Sequence, residues 1–412
     1  MNAANKALAL RMSAHHQMSR SVQRSFMALF TGNASDLTPY MILRVRRDQI
    51  ERDSLQQLQR MSEMDLRKPL KVKFVGEEGV DEGGVQKEYF QVITRELIDP
   101  KYGMFIQNKK TRTLWLNGRT FEAPVRFELI GTLLGVAVHN SVLIDLRFPT
   151  VLYVCCNRRQ TFSLKNSPKK QTNNDRYKKL MNKVPVLNDL VDINPDTLKG
   201  MKQLLEMKEE DVEDCDLTFE ITEECFGAIH TVALKRGGEK IAVTAKNRDE
   251  YVRLYVKHLM MESVKEQFDA MKKGFMRACD SDALKMFRPE ELELLICGRP
   301  ELDFHDLEKG ARYDDGYTKD DPIIKRFWKV VHEMDVERQR KLLTFVTGSD
   351  RAPIDGLSKL RMVITKSGSE TDRLPSAHTC FNHLLLPPYK TKSLMKKNLY
   401  VAIEQSEGFG LK

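Results

Sequence analysis

Cys380 lies in the run Leu374-Pro-Ser-Ala-His-Thr-Cys-Phe-Asn-His-Leu-Leu-Leu-Pro-Pro-Tyr389, with His378 just before it and His383 just after. A thiolate is the reactive form of cysteine, and an ordinary thiol of pKa about 8.5 supplies only a few per cent of it near neutral pH. Prolines at both edges favour an irregular loop, and the three leucines anchor it to a strand. Such a loop can present a thiol on a rigid scaffold. Three chemistries compete for it. His378, Cys380 and His383 offer zinc ligands, but a structural site needs four and no second pair is near. A papain-like dyad would take its base from far away in sequence, and the motif around its nucleophile differs. Acyl transfer through a thioester needs only a reachable thiol and donors for the oxyanion. Local spacing leaves the choice open.

The other six cysteines (155, 156, 215, 225, 279 and 297) bring the total to seven, thinly spread and without paired spacing. That pattern argues for a reducing compartment and against a disulfide framework. Cys155, Cys156 and Cys297 sit in apolar runs and read as structural. A second constellation, Phe74-Val-Gly-Glu-Glu-Gly-Val-Asp-Glu-Gly-Gly-Val85, is glycine-rich. It lacks the Gly-Lys-Ser/Thr of a phosphate loop, and its four acids would repel phosphate. Tight turns, with acids capping a helix that starts near Gly84–Val85, are the better reading.

The elements that must position Cys380 follow from periodicity. Helical spacing dominates from Pro39 to Cys297, with faces at Leu55, Leu58, Met61 and Met64 and at Tyr251, Leu254, Tyr255, His258 and Leu259. Leu129–Leu146 reads as a buried helix in which Gly131 and Gly135 allow close packing, and it is short for a membrane span. Strand-like pieces are Leu70–Val75, Leu217–Ile221 and Lys240–Val243. The helical pattern stops at Gly298-Arg299-Pro300, because proline cannot continue a helix and glycine ends one. Beyond it, Ile323–Val331, Val336–Phe345 and Ser393–Glu404 look helical, while Met362–Thr365 and Leu384–Leu386 look like strands. The expected fold is α+β and bilobal: a larger, mainly helical lobe over 38–297, a short hinge over 298–301, and a smaller α/β lobe over 302–412.

The chain of 412 residues is 41% hydrophobic and 30% charged, which excludes global disorder. Its net charge of +9 is unevenly placed. Residues 1–35 carry +4, and the basic excursion 158–179, within a polar segment 157–179, carries +7, leaving the body at −2. Nucleic-acid binders usually carry their charge on the folded body, so no nucleic-acid surface is expected, and no membrane partner either. Residues 1–37 read as a basic lead-in, flexible or helical, with a mitochondrial presequence as the alternative. No repeat of 20–50 residues is visible.

Taken together, these motifs resemble HECT-type ubiquitin-protein ligases, closest to the branch of the E6-associated protein (the Angelman-syndrome ligase). The resemblance rests on Leu374–Tyr389, on Gly79-Val-Asp-Glu-Gly-Gly84 followed by Lys87-Glu-Tyr-Phe90, and on Phe287-Arg-Pro-Glu-Glu291 with Leu294–Gly298. Gly316-Tyr-Thr, Phe327-Trp328 and Thr347–Pro353 also match. It covers about residues 38–412.

The resemblance implies that Cys380 accepts ubiquitin from the thioester of a conjugating enzyme (an E2) and passes it to a substrate lysine. It gives His378 and Thr379 supporting roles in the loop, and Phe409 a docking role near the C-terminus. It places the E2 groove at Met201, Leu204, Leu205, Leu217, Tyr251 and Tyr255, within a subdomain at about 185–275. Without it, all six would read as ordinary core. Where relatives often have phenylalanine, Tyr251 adds a hydroxyl that should reach solvent or a partner. Gly298, Arg299 and Pro300 become the hinge. The implied partners are an E2, ubiquitin and protein substrates, in the cytoplasm or nucleus, with neither metal nor organic cofactor. The rival readings are a cysteine hydrolase of isopeptide bonds and a catalytically silent scaffold that recruits an E2. The basic excursion and residues 1–37 are the two departures from the pattern. The excursion, centred on Lys169-Lys170, reads as a solvated loop, with an acidic-partner contact or a nuclear-import signal as the alternative.

Overall fold

The computed structural model describes residues 2–31, 38–77, 84–108, 111, 113–149, 152, 185–225, 227–279, 281–369 and 372–405. For Leu29, Thr31, Glu224, Cys225, Asp282 and Cys380 the description is confined to the backbone.

The chain opens with a long helix, α1 (Ala3–Thr31). Ala3, Ala7, Leu10 and Ala14 recur at alternating spacings of four and three, which lines small apolar side chains along one face. Ala7, Leu10 and Ala14 are buried, and Ala7 and Leu10 join the first core. Through these residues the helix, the helical form expected for the lead-in, packs onto the folded body. Strands β1 (Met41–Val45) and β2 (Leu70–Phe74) pair in parallel. Parallel pairing requires a crossover, and α2 (Ile50–Arg60) supplies it.

Next come α3 (Gly84–Leu97), the antiparallel pair β3 (Phe105–Gln107) and β4 (Leu114–Leu116), and α4 (Pro124–His139). Apolar residues surround α4 on every side, as a fully buried helix requires. Further elements are α5 (Pro195–Glu206), the hairpin β5 (Glu220–Cys225) with β6 (Ala228–Ala233), α6 (Arg248–Lys257), α7 (Lys265–Ala278) and α8 (Pro289–Cys297). The axes of α4 and α7 approach until backbones touch. A Cβ on Gly131 would lie 1.8 Å from the Met271 carbonyl oxygen, and one on Gly274 would lie 2.0 Å from that of Glu128.

Two strand expectations shift. The hairpin strand begins at Glu220 instead of Leu217. The 240–243 segment makes only an isolated bridge, Thr218 to Ala242, because a tight 3₁₀ turn at Gly238–Lys240 consumes its first residue.

A second core starts at α9 (Phe304–Gly310) and includes β7 (Arg312–Asp314), α10 (Pro322–His332), α11 (Val336–Thr347), β8 (Val363–Lys366), β9 (Ser376–His378), β10 (His383–Leu386) and α12 (Lys392–Gln405). The four strands order as β7-β8-β10-β9, with only the β10–β9 pair antiparallel. The architecture is thus α+β and bilobal, with one exchange between the cores: Ile354, from the segment between α11 and β8, packs into the first. No helix among the described residues is long and apolar enough to cross a membrane.

Candidate active site

The cysteine loop is more regular than its prolines suggest. Cys380 sits in a single 3₁₀ turn, Thr379–Phe381, that closes the β9–β10 hairpin at the edge of the second sheet. Asn382 completes the reversal at φ +51°, a left-handed conformation that asparagine tolerates better than most residues. Behind the turn, Leu384 and Leu386 are fully buried while Leu385 faces the other side of the sheet, as strand alternation requires. Tyr389 is also fully buried; its hydroxyl donates to the Arg373 carbonyl at 2.5 Å, and its own carbonyl accepts from Arg326 at 2.6 Å. The Tyr317 hydroxyl donates to the Leu386 carbonyl at 3.0 Å. The backbone around the turn is therefore fixed from both sides.

His378 and His383 are cross-strand partners with ring centroids 5.9 Å apart. His383 Nε2 lies 2.8 Å from Thr365 Oγ1. Burial, and then the neighbouring His378, push the His383 pKa below its ordinary value, so the ring stays neutral at pH 7.

The front of the turn meets the first lobe. Lys87 on α3 donates to the Thr379 carbonyl at 2.9 Å and to Asn382 Oδ1 at 2.7 Å. Asn382 in turn donates to the Leu360 carbonyl at 2.8 Å. The Phe381 ring lies over Gly84, where an added Cβ would come within 2.6 Å of it. Both sequence neighbours of Cys380 are thus held by one helix end of the opposite lobe. Gly84 and Lys87 are three residues apart and share a face. The sequence assigns Gly84 to a turn and Lys87 to no role. That common face is the one signal that pairs them, and nothing in the sequence says what it meets.

Around this contact, Gln91 reaches the Thr347 carbonyl at 3.5 Å, and Arg147 pairs with Asp350 at 2.7 Å. From α1, Lys6 pairs with Glu291 of the first lobe at 2.6 Å, and Arg11 pairs with Asp355 of the second.

The segment expected to hinge is well tethered. Arg299 and Ala352 exchange both backbone hydrogen bonds, at 2.6 and 2.9 Å. Arg351 donates to the Gly298 carbonyl at 3.2 Å and Arg340 to that of Pro300 at 2.8 Å. Gly298 has φ +81° and its N–H closes α8 on Leu294, so a proline there would break the fold rather than stiffen a free linker.

The six residues expected to form the E2 groove gather around α5, α6 and the chain leading into β5. Met201, Leu205, Leu217 and Tyr255 are partly exposed and share a surface with the first core. Leu204 and Tyr251 are only 5% and 4% exposed. Tyr251 stands edge-on to Phe219, with centroids 5.5 Å apart, and next to Tyr255 at 5.8 Å. Burial pushes its pKa up to about 12, with a smaller contribution from Tyr255. The ring expected to offer its hydroxyl outward is packed beside Phe219 and Tyr255. Phe409, Cys155, Cys156, the polar segment 157–179 and the capping acids of 78–83 lie outside the described residues.

The cysteine turn of the second lobe thus rests on the first turn of α3 in the first lobe. Residues 91–412 match the model for the HECT-domain (ubiquitin-transferase) family, and the chain belongs to it.

Among curated proteins, the chain is 40% identical over 391 residues to the probable E3 ubiquitin-protein ligase HERC4 of Homo sapiens, covering 94% of this chain and 35% of that protein. It is 42% identical over 378 residues to the probable E3 ubiquitin-protein ligase HECTD2 of Mus musculus, covering 90% and 46%. It is 35% identical over 393 residues to the probable E3 ubiquitin-protein ligase HUL4 of Eremothecium gossypii, covering 90% and 43%. The chain therefore spans between a third and a half of these relatives. A match over 94% of the chain reaches into its first 37 residues, where the motifs had shown no likeness.

Proposed function

We propose that this chain is an E3 ubiquitin-protein transferase that takes ubiquitin from an E2 as a thioester on Cys380 and passes it to a substrate lysine. The observation that carries the reading is the position of Cys380: a fixed turn on the second lobe, seated against α3 of the first, in a chain of the HECT family. The Cys380 thiolate attacks the carbonyl of the E2 thioester, a new C–S bond forms, and the E2 sulfur leaves as thiolate. The substrate amine then attacks the new thioester, loses a proton to solvent or a nearby base, and releases the Cys380 thiolate. Thioester exchange needs neither metal nor organic cofactor.

In this reading residues 38–297 form the lobe that receives the E2, with its subdomain at about 185–275. Met201, Leu205, Leu217 and Tyr255 line the contact, and Leu204 and Tyr251 support it from behind. The lobe of residues 302–412 carries the cysteine, and 298–301 with its tethers is the hinge. His378 and Thr379 shape the turn, and Phe409 docks the C-terminal end. Bringing sulfur and carbonyl within about 3–3.5 Å then requires the lobes to turn on one another. The free spacing of the cysteines points to the cytoplasm or nucleus. The partners are an E2, ubiquitin and protein substrates, with neither nucleic acid nor membrane among them. Affinity with the branch of the E6-associated protein rests on motif likeness alone.

The test is incubation with activating enzyme, E2, ATP and ubiquitin. A thiol-sensitive adduct should form, vanish in Cys380→Ala, and become a thiol-resistant ester in Cys380→Ser. Absence of an adduct with every E2 tried would favour a scaffold, and loss of preformed chains would favour a hydrolase.

A further inference from the structure

Away from the cysteine turn, α9 and α10 bring together three side chains that the transferase reading does not use. His305 and Glu308 are three residues apart on α9 and share a face. His332 is the last residue of α10, and its Nε2 lies 2.7 Å from Glu308 Oε2. The two imidazoles stack nearly parallel, with centroids 4.0 Å apart and planes at 19°. One ligand atom from each residue falls within 4.8 Å of the other two.

We propose that His305, Glu308 and His332 form a binding site for a first-row divalent cation, zinc above all. Two imidazoles and one carboxylate are the donor set that zinc accepts in sites with three protein ligands and a water. Magnesium and calcium prefer all-oxygen shells, so the two nitrogens select against them. A tetrahedral zinc with bonds of about 2.0–2.1 Å needs donor atoms about 3.3 Å apart. The His332–Glu308 pair, hydrogen-bonded at 2.7 Å, would open by about 0.6 Å to admit the ion, and His305, the one exposed member, would turn out of its stack to bring a nitrogen to it. Its exposure also leaves the fourth position open to water.

The supports are rigid. The Asp303 carboxylate accepts from the His305 backbone N–H at 2.9 Å and fixes the first turn of α9. Trp328 lies against the His332 ring, with centroids 6.0 Å apart, and its indole N–H is tied to the Tyr313 hydroxyl at 2.9 Å. The alternative arrangement is a His–Glu ion pair with a second ring stacked on it. Ring stacking would hold His305 in that case, and zinc titration separates the two arrangements.

The experiment uses the whole chain, stripped of metal with a chelator. Zinc is titrated calorimetrically, and cobalt is added separately to read the donor atoms from its spectrum. The expected result is one zinc bound at this site, with His305→Ala and Glu308→Gln each weakening it about tenfold or more. Cobalt at the site should give d–d bands without thiolate charge transfer. Ubiquitin loading and melting temperature of metal-free His305→Ala should match the parent, which shows that the variant folds. The proposal is overturned if zinc fails to bind at micromolar concentration. It is overturned equally if His305→Ala and His332→Ala bind zinc as the parent does, or if thiolate bands show that only cysteines take the metal.

Discussion

Two aromatic residues, one in each lobe, are held in opposite ways. Tyr251 in the first lobe is 4% exposed and meets Phe219 and Tyr255, both of its own lobe. Phe381, next to Cys380, is 53% exposed and rests on Gly84 of the other lobe. The first ring is fixed by folding, whereas the second is fixed by docking. The surface that would receive an E2 is therefore stiff from within, while the cysteine turn depends on where the second lobe sits.

Three changes sharpen or break this contrast. The largest effect should come from Tyr389→Ala, behind the turn. Removing a fully buried aromatic costs about 3–5 kcal/mol, so urea unfolding of the full chain should show the second lobe melting early. Phe381→Ala should leave that transition nearly unmoved, and an equal loss would mean that the ring is fixed within its own lobe. Next in size is Lys87→Met. It removes two charge-assisted hydrogen bonds across the lobes, of the kind worth up to about 1.5–3 kcal/mol. Small-angle scattering should then show more open lobes, with both melting transitions retained; unchanged scattering would mean the docked turn does not rely on Lys87.

The smallest effect concerns pH. His139 in the first lobe and His383 in the second both have pKa values lowered chiefly by burial. The unfolded chain takes up protons as pH falls through about 6.5 while the folded chain resists. Stability is therefore complete above that value and declines below it, by at most about 1.4 kcal/mol per pH unit for each ring. His139→Gln should flatten the decline in the first transition only, and His383→Gln in the second only. Crossed effects would show that the lobes unfold as one.

Much of the scaffold was legible because it obeys local periodicity. The helices over Ile323–Val331, Val336–Phe345 and Ser393–Glu404 are present within one to two residues at most ends. The buried helix Pro124–His139 announced itself by apolar residues on every side. Strand β6 was hidden because most of it is solvated: Ala228 to Thr231 are exposed, and no alternation marks an inner face. The core role of α1 was missed although Ala3, Ala7, Leu10 and Ala14 spell it, since alanines carry little hydrophobic signal. At the site, the sequence marks Cys380 by its motif. The role of Lys87 stayed hidden because its partners lie 292 and 295 residues away.

The chain passes between the lobes more than once, and this has a mechanical consequence. Arg299 and Ala352 are paired through both backbone hydrogen bonds, and two residues beyond Ala352 the Ile354 side chain is plugged into the first core. A single thread would let the second lobe pivot in any direction. A doubled ribbon does not. It bends readily across its flat side and resists shear and twist, so the number of soft directions falls. Motion over any long arc must then be steered along a narrow path, or must first peel the ribbon apart by withdrawing Ile354.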